Sequence, residues 1–177
     1  MGIETMYVRN ESGEFIPVGR DTVIRVARAI LRNRIRRGAV LSSPSLVRDF
    51  LAVNLGARDC EYFCVLLLDG RNRFLRFVEL FRGTIDGASV HPREVVKLVL
   101  ESEAASVLLV HNHPSSIGEP STADELITRR IRDVLSLIDV RVLDHLIVAG
   151  GDVVSMSERG LIQKVSPGPV GAGPQTW

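Results

Sequence analysis

Apolar positions along the chain follow two different periods. Glu61 to Leu68 is apolar at nearly every position and lacks the alternation of a strand that faces water. A run of that kind suits a central strand in a sheet covered on both sides. Asp69-Gly70-Arg71-Asn72 is a turn sequence, and Phe74 to Phe81 returns as the second strand of a hairpin until Gly83-Thr84 breaks it. Ser106 to Val110, Val140 to Ala149 and Asp152 to Met156 read as three further strands, with Gly150-Gly151 between the last two. Helical spacing fills the gaps. Residues 21 to 37 place Val23, Ala27, Ile30 and Leu31 on one face, with Asp21 as cap and Gly38 as stop. Ser43 as N-cap and Pro44 at the first helical position open a second helix, with Leu46, Phe50, Leu51 and Val53 as its apolar face and Gly56 at its end. A third helix runs from His91-Pro92 to about Ala104 on an inner stripe of Val95, Val96, Val99 and Leu100, and a fourth covers residues 122 to 138. A short helix is expected after Ser157.

This order of helix, two strands, helix, strand, helix, two strands predicts a three-layer α/β fold, a mixed β-sheet flanked by helices. Residues 1 to 19 read as an arm with a short strand at Met6 to Val8. From Ser166 onwards Pro, Gly, Gln and Thr dominate, which predicts a disordered tail. The expected division is therefore 1–41 for the arm and first helix, 42–163 for the main domain and 164–177 for the tail. No internal repeat is present.

Composition narrows the class. With 177 residues, 45% hydrophobic and 24% charged, the chain suits one globular domain with short extensions. Cys60 and Cys64 imply no disulfide framework. On a strand they would lie roughly 13 Å apart, beyond disulfide reach, and both read as small core hydrophobes. No signal-peptide core, myristoylation motif or membrane-spanning run is visible, so a cytoplasmic setting is expected. The net charge of +1 gives no global case for nucleic acid. One local feature does: Arg25, Arg28, Arg32 and Arg36 form a stripe on the first helix, and Arg20, Arg34 and Arg37 add to it. In a chain with twenty Arg and two Lys, such a stripe is also an ordinary solvated helix face. Weak, non-specific nucleic-acid binding at most is expected.

The candidate chemistry lies in one stretch, His111-Asn112-His113-Pro114-Ser115-Ser116-Ile117-Gly118-Glu119-Pro120-Ser121-Thr122-Ala123-Asp124. His111 and His113 follow an apolar strand, and side chains two apart on a strand share a side. Asp124 falls on the first turn of the next helix and can face them. Two imidazoles and one carboxylate make three ligands. A catalytic zinc site uses three and keeps a fourth position for water, whereas a structural site wants four, usually with thiolates. Ser121 and Asp124 equally fit a helix capping box.

His-x-His, seven residues, Ser, two residues, Asp resembles the signature of the JAMM (MPN-plus, JAB) metalloproteases. The longer strings His-Asn-His-Pro-Ser and Glu119-Pro120-Ser121-x-x-Asp124 resemble its RadC-like branch. Phe81-Arg82-Gly83-Thr84-Ile85, Val90-His91-Pro92-Arg93-Glu94-Val95, Leu143-Asp144-His145-Leu146-Ile147-Val148 and Ser157-Glu158-Arg159-Gly160 agree, so the likeness covers about residues 42 to 163. RadC-like chains usually carry Gly where Ser116 stands, which puts the shape of that loop in question. They also usually carry a helix-hairpin-helix segment, which is not seen here, so the likeness is to the shorter, single-domain members.

The resemblance implies a deaminase-like JAB/MPN fold and a zinc ion on His111, His113 and Asp124. It further implies amide hydrolysis by a metal-activated water, with Ser121 as oxyanion donor and a glutamate at the strand of Glu61 as base. The residues alone leave Glu61 and Glu79 as alternatives for that base. His145 reads as a ligand or substrate contact, or as a buried His oriented by a neighbour, and the second is favoured. His91 falls at a helix start near the groove. Three functions compete: a zinc peptidase or isopeptidase with a peptide or protein substrate, a ubiquitin-like one included; a RadC-like protein of DNA repair or recombination; and a metal-free scaffold. The complete ligand set favours the first.

Overall fold

The computed structural model describes residues 5–41, 43–83 and 90–162. The expected tail, 164–177, and Thr84-Ile85 of the upstream motif lie outside the described residues. Seven strands and four helices occur among those described: β1 Met6–Arg9, β2 Phe15–Val18, α1 Arg20–Arg34, α2 Pro44–Leu55, β3 Tyr62–Leu68, β4 Phe74–Arg82, α3 Pro92–Glu101, β5 Ser106–His113, α4 Thr122–Ser136, β6 Arg141–Ala149 and β7 Asp152–Ser155. A five-stranded sheet has the order β4-β3-β5-β6-β7, and β1 and β2 pair apart from it. The pairs β3/β4, β3/β5 and β6/β7 are antiparallel, and β5/β6 is parallel. This is the three-layer α/β fold with a mixed β-sheet that the hydrophobic pattern predicts.

The strong burial of β3 follows from its place. Phe63, Val65 and Leu67 join Val95 and Leu98 of α3 and Ile131 and Leu135 of α4 in one core. Cys64, Leu66 and Leu68 point the other way, onto Val47, Phe50, Leu51 and Leu55 of α2. Burying a leucine or valine side chain fully contributes about 1.5–3 kcal/mol, so covering both faces makes this strand the anchor of the sheet. The parity has a consequence for the site. Val107 and Leu109 of β5 lie in the α3/α4 core, and His111 and His113 continue that side of the strand.

Several expectations need correction. The arm is a β1/β2 hairpin, so a second strand at Phe15–Val18 was not foreseen. Helix α1 ends at Arg34, and its N-cap is Gly19 rather than Asp21. It stops early because the chain turns to pair with β4: Gly38 N–H donates to Phe74 O at 2.8 Å and Phe74 N–H to Ala39 O at 2.8 Å. Ile30 is exposed, not inward. Helix α3 ends at Glu101, and Leu98 rather than Leu100 completes its inner face, Leu100 being 60% exposed. Strand β5 runs on to His113. After Ser157 the chain makes turns, with Gly160 N–H donating to Ser157 O at 3.0 Å, and no helix forms there. Cys64 is buried as expected, whereas Cys60 is half-exposed and accepts from Arg82 Nε at 3.2 Å.

Candidate metal centre

Each residue of the candidate ligand set is delivered by a different constraint. His111 and His113 sit at the C-terminal end of β5, where the strand is held on one side by β3, up to the pair Phe63–His111, and on the other by β6. Helix α4 begins at Ser121 in a full capping box. Ser121 Oγ accepts from Asp124 N–H at 3.2 Å, and the Asp124 carboxylate accepts from Ser121 N–H at 2.7 Å. Ser121 Oγ–H also donates to Asp124 Oδ2 at 2.7 Å. The box that starts the helix therefore aims the Asp124 carboxylate. His111 Nε2 lies 3.2 Å from Asp124 Oδ1, and His113 Nε2 lies 3.6 Å from Oδ2. One ligand atom from each of the three residues falls within 4.8 Å of the others.

The hydrogen bonds around the histidines fix which nitrogen carries hydrogen. A carbonyl only accepts, so the contact of His113 Nδ1 with Ile117 O at 2.6 Å puts the hydrogen on Nδ1. In the neutral ring Nε2 is then bare. Behind His111, the Asp124 main-chain carbonyl accepts from Thr128 Oγ1–H at 2.5 Å. Thr128 has spent its hydrogen, so it accepts from His145 Nδ1–H at 2.5 Å. His145 is completely buried, and that burial pushes its pKa well below the usual value. A neutral His145 has a bare Nε2, which accepts from His111 Nδ1–H at 2.8 Å. His111 Nε2 is bare in turn.

Two bare ring nitrogens thus face each other at 2.8 Å, with a carboxylate beside them. Lone pairs so close repel unless a cation stands among them. Burial alone would raise the Asp124 carboxyl, but a positive charge held on His111 Nε2, a proton where no metal stands, and then the bonds from Ser121 outweigh it and hold the carboxyl far below the ordinary range. The donor set is two imidazoles, one carboxylate and no thiolate. It fits a divalent first-row ion with an open position for a further ligand.

A cleft of about 470 Å³ opens at this point, lined by Glu61, Phe63, His91, His113, Ser121 and Asp124 among others. Glu61 lies one residue before β3, not on it, and shares the parity of Phe63. Its backbone is clamped. Tyr62 N–H donates to Asn112 Oδ1 at 2.8 Å, Asn112 Nδ2 donates to Cys60 O at 3.0 Å, and Gly83 N–H donates to Glu61 O at 2.7 Å. Glu79, the alternative, is on the other side of the sheet: it pairs with Arg58 at 2.7 Å and lines a separate cleft. His91 is the N-cap residue of α3, edge-on to Phe81 at 6.1 Å. Asp144, next to His145, does not touch its ring. It accepts from Ser155 Oγ at 2.5 Å and Ser157 N at 2.9 Å and ties β6 to the turn after β7.

Sequence reasoning missed Thr128, Asn112 and the Ile117 carbonyl. Thr128 carried a usable signal, being one helical turn beyond Asp124 on the same face. The relay yields a prediction. His145→Phe keeps most of the volume and removes the acceptor for His111 Nδ1–H. Zinc affinity, measured by competition with a chelator, should fall by about 10–100-fold, as is usual when the partner of a metal-binding histidine is lost. Unchanged affinity would show that the relay does not orient the ligand.

The loop after His113 answers the question raised by Ser116. Its φ is +59°, in the left-handed region, so the backbone keeps a glycine-like conformation although the residue is Ser. Ser116 N–H closes the turn onto His113 O at 3.0 Å. Gly118 packs against β7, where a Cβ would come within 2.8 Å of Val154 Cγ2. Ser116→Gly should leave zinc binding intact and raise the thermal midpoint slightly, because the left-handed penalty of about 1–2 kcal/mol exceeds the entropic cost of Gly. A lower midpoint would mean that the Ser116 side chain, near Gly150, holds the loop.

Comparison with known proteins agrees with this geometry. The RadC-like JAB domain matches residues 41–161. A UPF0758 protein of Shewanella baltica (strain OS155 / ATCC BAA-1091) is 54% identical over 137 residues, covering 77% of this chain and 61% of the relative. UPF0758 proteins of Shewanella oneidensis, at 53%, and Shewanella amazonensis, at 54%, match over the same shares. The chain thus spans about three fifths of the length of these curated relatives. No helix among the described residues is long and apolar enough to cross a membrane. A domain match over most of the chain, on the fold and side-chain cluster described, identifies the chain as a member of the RadC-like JAB domain family.

Proposed function

We propose that this site hydrolyses an amide bond, in a peptide or isopeptide linkage, with zinc as its resident metal. One observation carries the reading: a ring nitrogen each of His111 and His113 and a carboxylate oxygen of Asp124 converge at a cleft that His113 and Asp124 line together with Glu61 and Ser121. Zinc held by His111, His113 and Asp124 would supply a Lewis acid and lower the pKa of a water molecule to about 7. Amide hydrolysis then needs a group that takes a proton from that water and returns one to the leaving amine. Glu61 is the residue proposed for both transfers, since its backbone is held by three hydrogen bonds at the rim of the cleft.

Ser121 is the proposed donor to the oxyanion. Its hydroxyl lies at the Asp124 carboxylate, one turn before the ligand on the same helix start. Asp124 Oδ2 also accepts from Ser121 N–H at 2.7 Å, so the carboxylate keeps a donor when the hydroxyl turns to the substrate. A peptide or protein substrate fits a cleft whose walls combine Val90, Pro92 and Ile127 with the polar groups of His91 and Arg130. The test is a panel of peptide and isopeptide substrates, ubiquitin-like conjugates among them, offered to zinc-loaded and chelated protein. Zinc-dependent cleavage supports the reading. Full zinc occupancy with no amide cleaved across the panel counts against it.

A further inference from the structure

Away from the metal centre, on the α2 side of the sheet, α1 and β4 border a cleft of about 570 Å³. Six guanidiniums line it: Arg28, Arg32, Arg36, Arg37, Arg58 and Arg76. They come from α1 and the turn after it, from the turn after α2 and from β4, so the fold gathers charges that lie up to 48 residues apart in the sequence, from Arg28 to Arg76. The one carboxylate on the lining is Glu79, and Arg58 already neutralises it at 2.7 Å. Two of the arginines are set in place by main-chain carbonyls. Arg28 Nε donates to Val53 O at 3.2 Å, and Arg58 Nε donates to Asn54 O at 3.3 Å. Among the described residues, Arg32, Arg36, Arg37 and Arg76 form no ion pair with a carboxylate. In a chain of net charge +1, this is a strong local concentration of positive charge.

We propose that this cleft binds the phosphate backbone of a nucleic-acid strand, without reading its sequence. Three features favour that ligand over an acidic protein. The stripe Arg25, Arg28, Arg32 advances along α1 by about 4.5–6 Å per step, and Arg36 follows in the turn after the helix, a spaced row suited to a chain whose charges repeat at fixed spacing. It continues past this cleft into a neighbouring one that shares Arg28 and Arg32 and adds Arg25 beside one carboxylate, Asp21, so the track, still positive on balance, is longer than a compact ligand needs. The lining also includes Phe77, half-buried and edge-on to the buried Phe50 at 5.3 Å. A basic groove with aromatic surface is the usual pairing for single strands. Guanidinium forks match phosphate oxygens in pairs, which the nearly Lys-free composition favours. The proposal is independent of the amide-hydrolase reading, because none of these residues lines the metal cleft.

The test is fluorescence anisotropy with a labelled oligothymidylate of about twenty nucleotides, on the full chain, over a range of salt. Binding should be weak at physiological salt, in the 10⁻⁴–10⁻⁶ M range of non-specific complexes, and steeply salt-dependent. R32Q/R36Q/R76Q keeps three exposed, polar side chains and should reduce the slope of log K against log salt by about 2, at roughly 0.7 for each phosphate no longer neutralised. R129Q/R132Q, on α4, should leave the slope unchanged. An unchanged slope in the triple variant overturns the proposal, as does an equal loss in the α4 variant. Polyglutamate bound as tightly as the oligonucleotide, with the same dependence on the three arginines, would overturn it in favour of an acidic protein partner.

Discussion

Replacing His111 or His113 with Ala is expected to reduce bound zinc from about one ion per chain, the mononuclear stoichiometry, to none detectable after desalting. The size of the effect follows from the count of donors. Three side chains supply the whole site among the described residues, and each histidine supplies a bare Nε2 that no neighbour can replace. His145 cannot step in, because both its ring nitrogens are engaged, one by Thr128 and one by His111. Folding and metal should also be linked. Zinc at a hundred times its dissociation constant adds about 2.7 kcal/mol to the native state, so wild-type protein should melt at a higher temperature with zinc than with chelator. The histidine variants should lose that difference. His91→Ala should keep both zinc and the shift, since His91 caps α3 and is not a ligand. Elemental analysis and thermal melts check these outcomes. Wild-type protein that stays metal-free in zinc-containing buffer would sink the site altogether.

The sheet and the clustering of His111, His113 and Asp124 were legible because they follow from parity and spacing. Alternation along β3 and β5 puts Phe63, Leu109, His111 and His113 on one side, and a capped helix start returns Asp124 to it. What the pattern could not give depends on irregularities. His145 faces His111 because of a register shift between β5 and β6: Val107 pairs with Val142 but Leu108 with Asp144. One extra residue on β6 reverses its parity from there on, and no local preference marks that bulge. Asn112 was invisible for a related reason. The β3/β5 ladder ends at Phe63–His111, and the Asn112 amide takes over the next pair of backbone bonds. The end of α1 was misplaced because residues 38–40 leave helical geometry to pair with the start of β4, a tertiary contact that outweighs helix propensity. The arginine stripe was visible on the helix. Its joining with Arg58 and Arg76 was not, since that needs α1 packed beside α2 and β4.

Glu61→Gln is expected to retain zinc and to lower amide hydrolysis by about 10²-fold or more, the usual worth of a positioned acid–base group. The substitution keeps the shape of the side chain and removes the basic oxygen. Zinc should remain because Glu61 is not among the three converging donors. Glu79→Gln should leave hydrolysis unchanged, since Glu79 is bound to Arg58 on the other side of the sheet. Asn112 supplies the sharper arm. Its amide holds the backbone on both flanks of Glu61 while its neighbours His111 and His113 belong to the candidate metal cluster, so Asn112→Ala should loosen Glu61 without removing a candidate ligand. Hydrolysis should fall in the single variant with zinc content unchanged. In the Glu61→Gln background the same change should cost little more, because residues acting as one unit are not additive. Full additivity would mean that Asn112 supports something other than the base. A fully active Glu61→Gln protein would remove Glu61 from the chemistry. Loss of zinc from it would make Glu61 a fourth ligand and the site a closed, structural one.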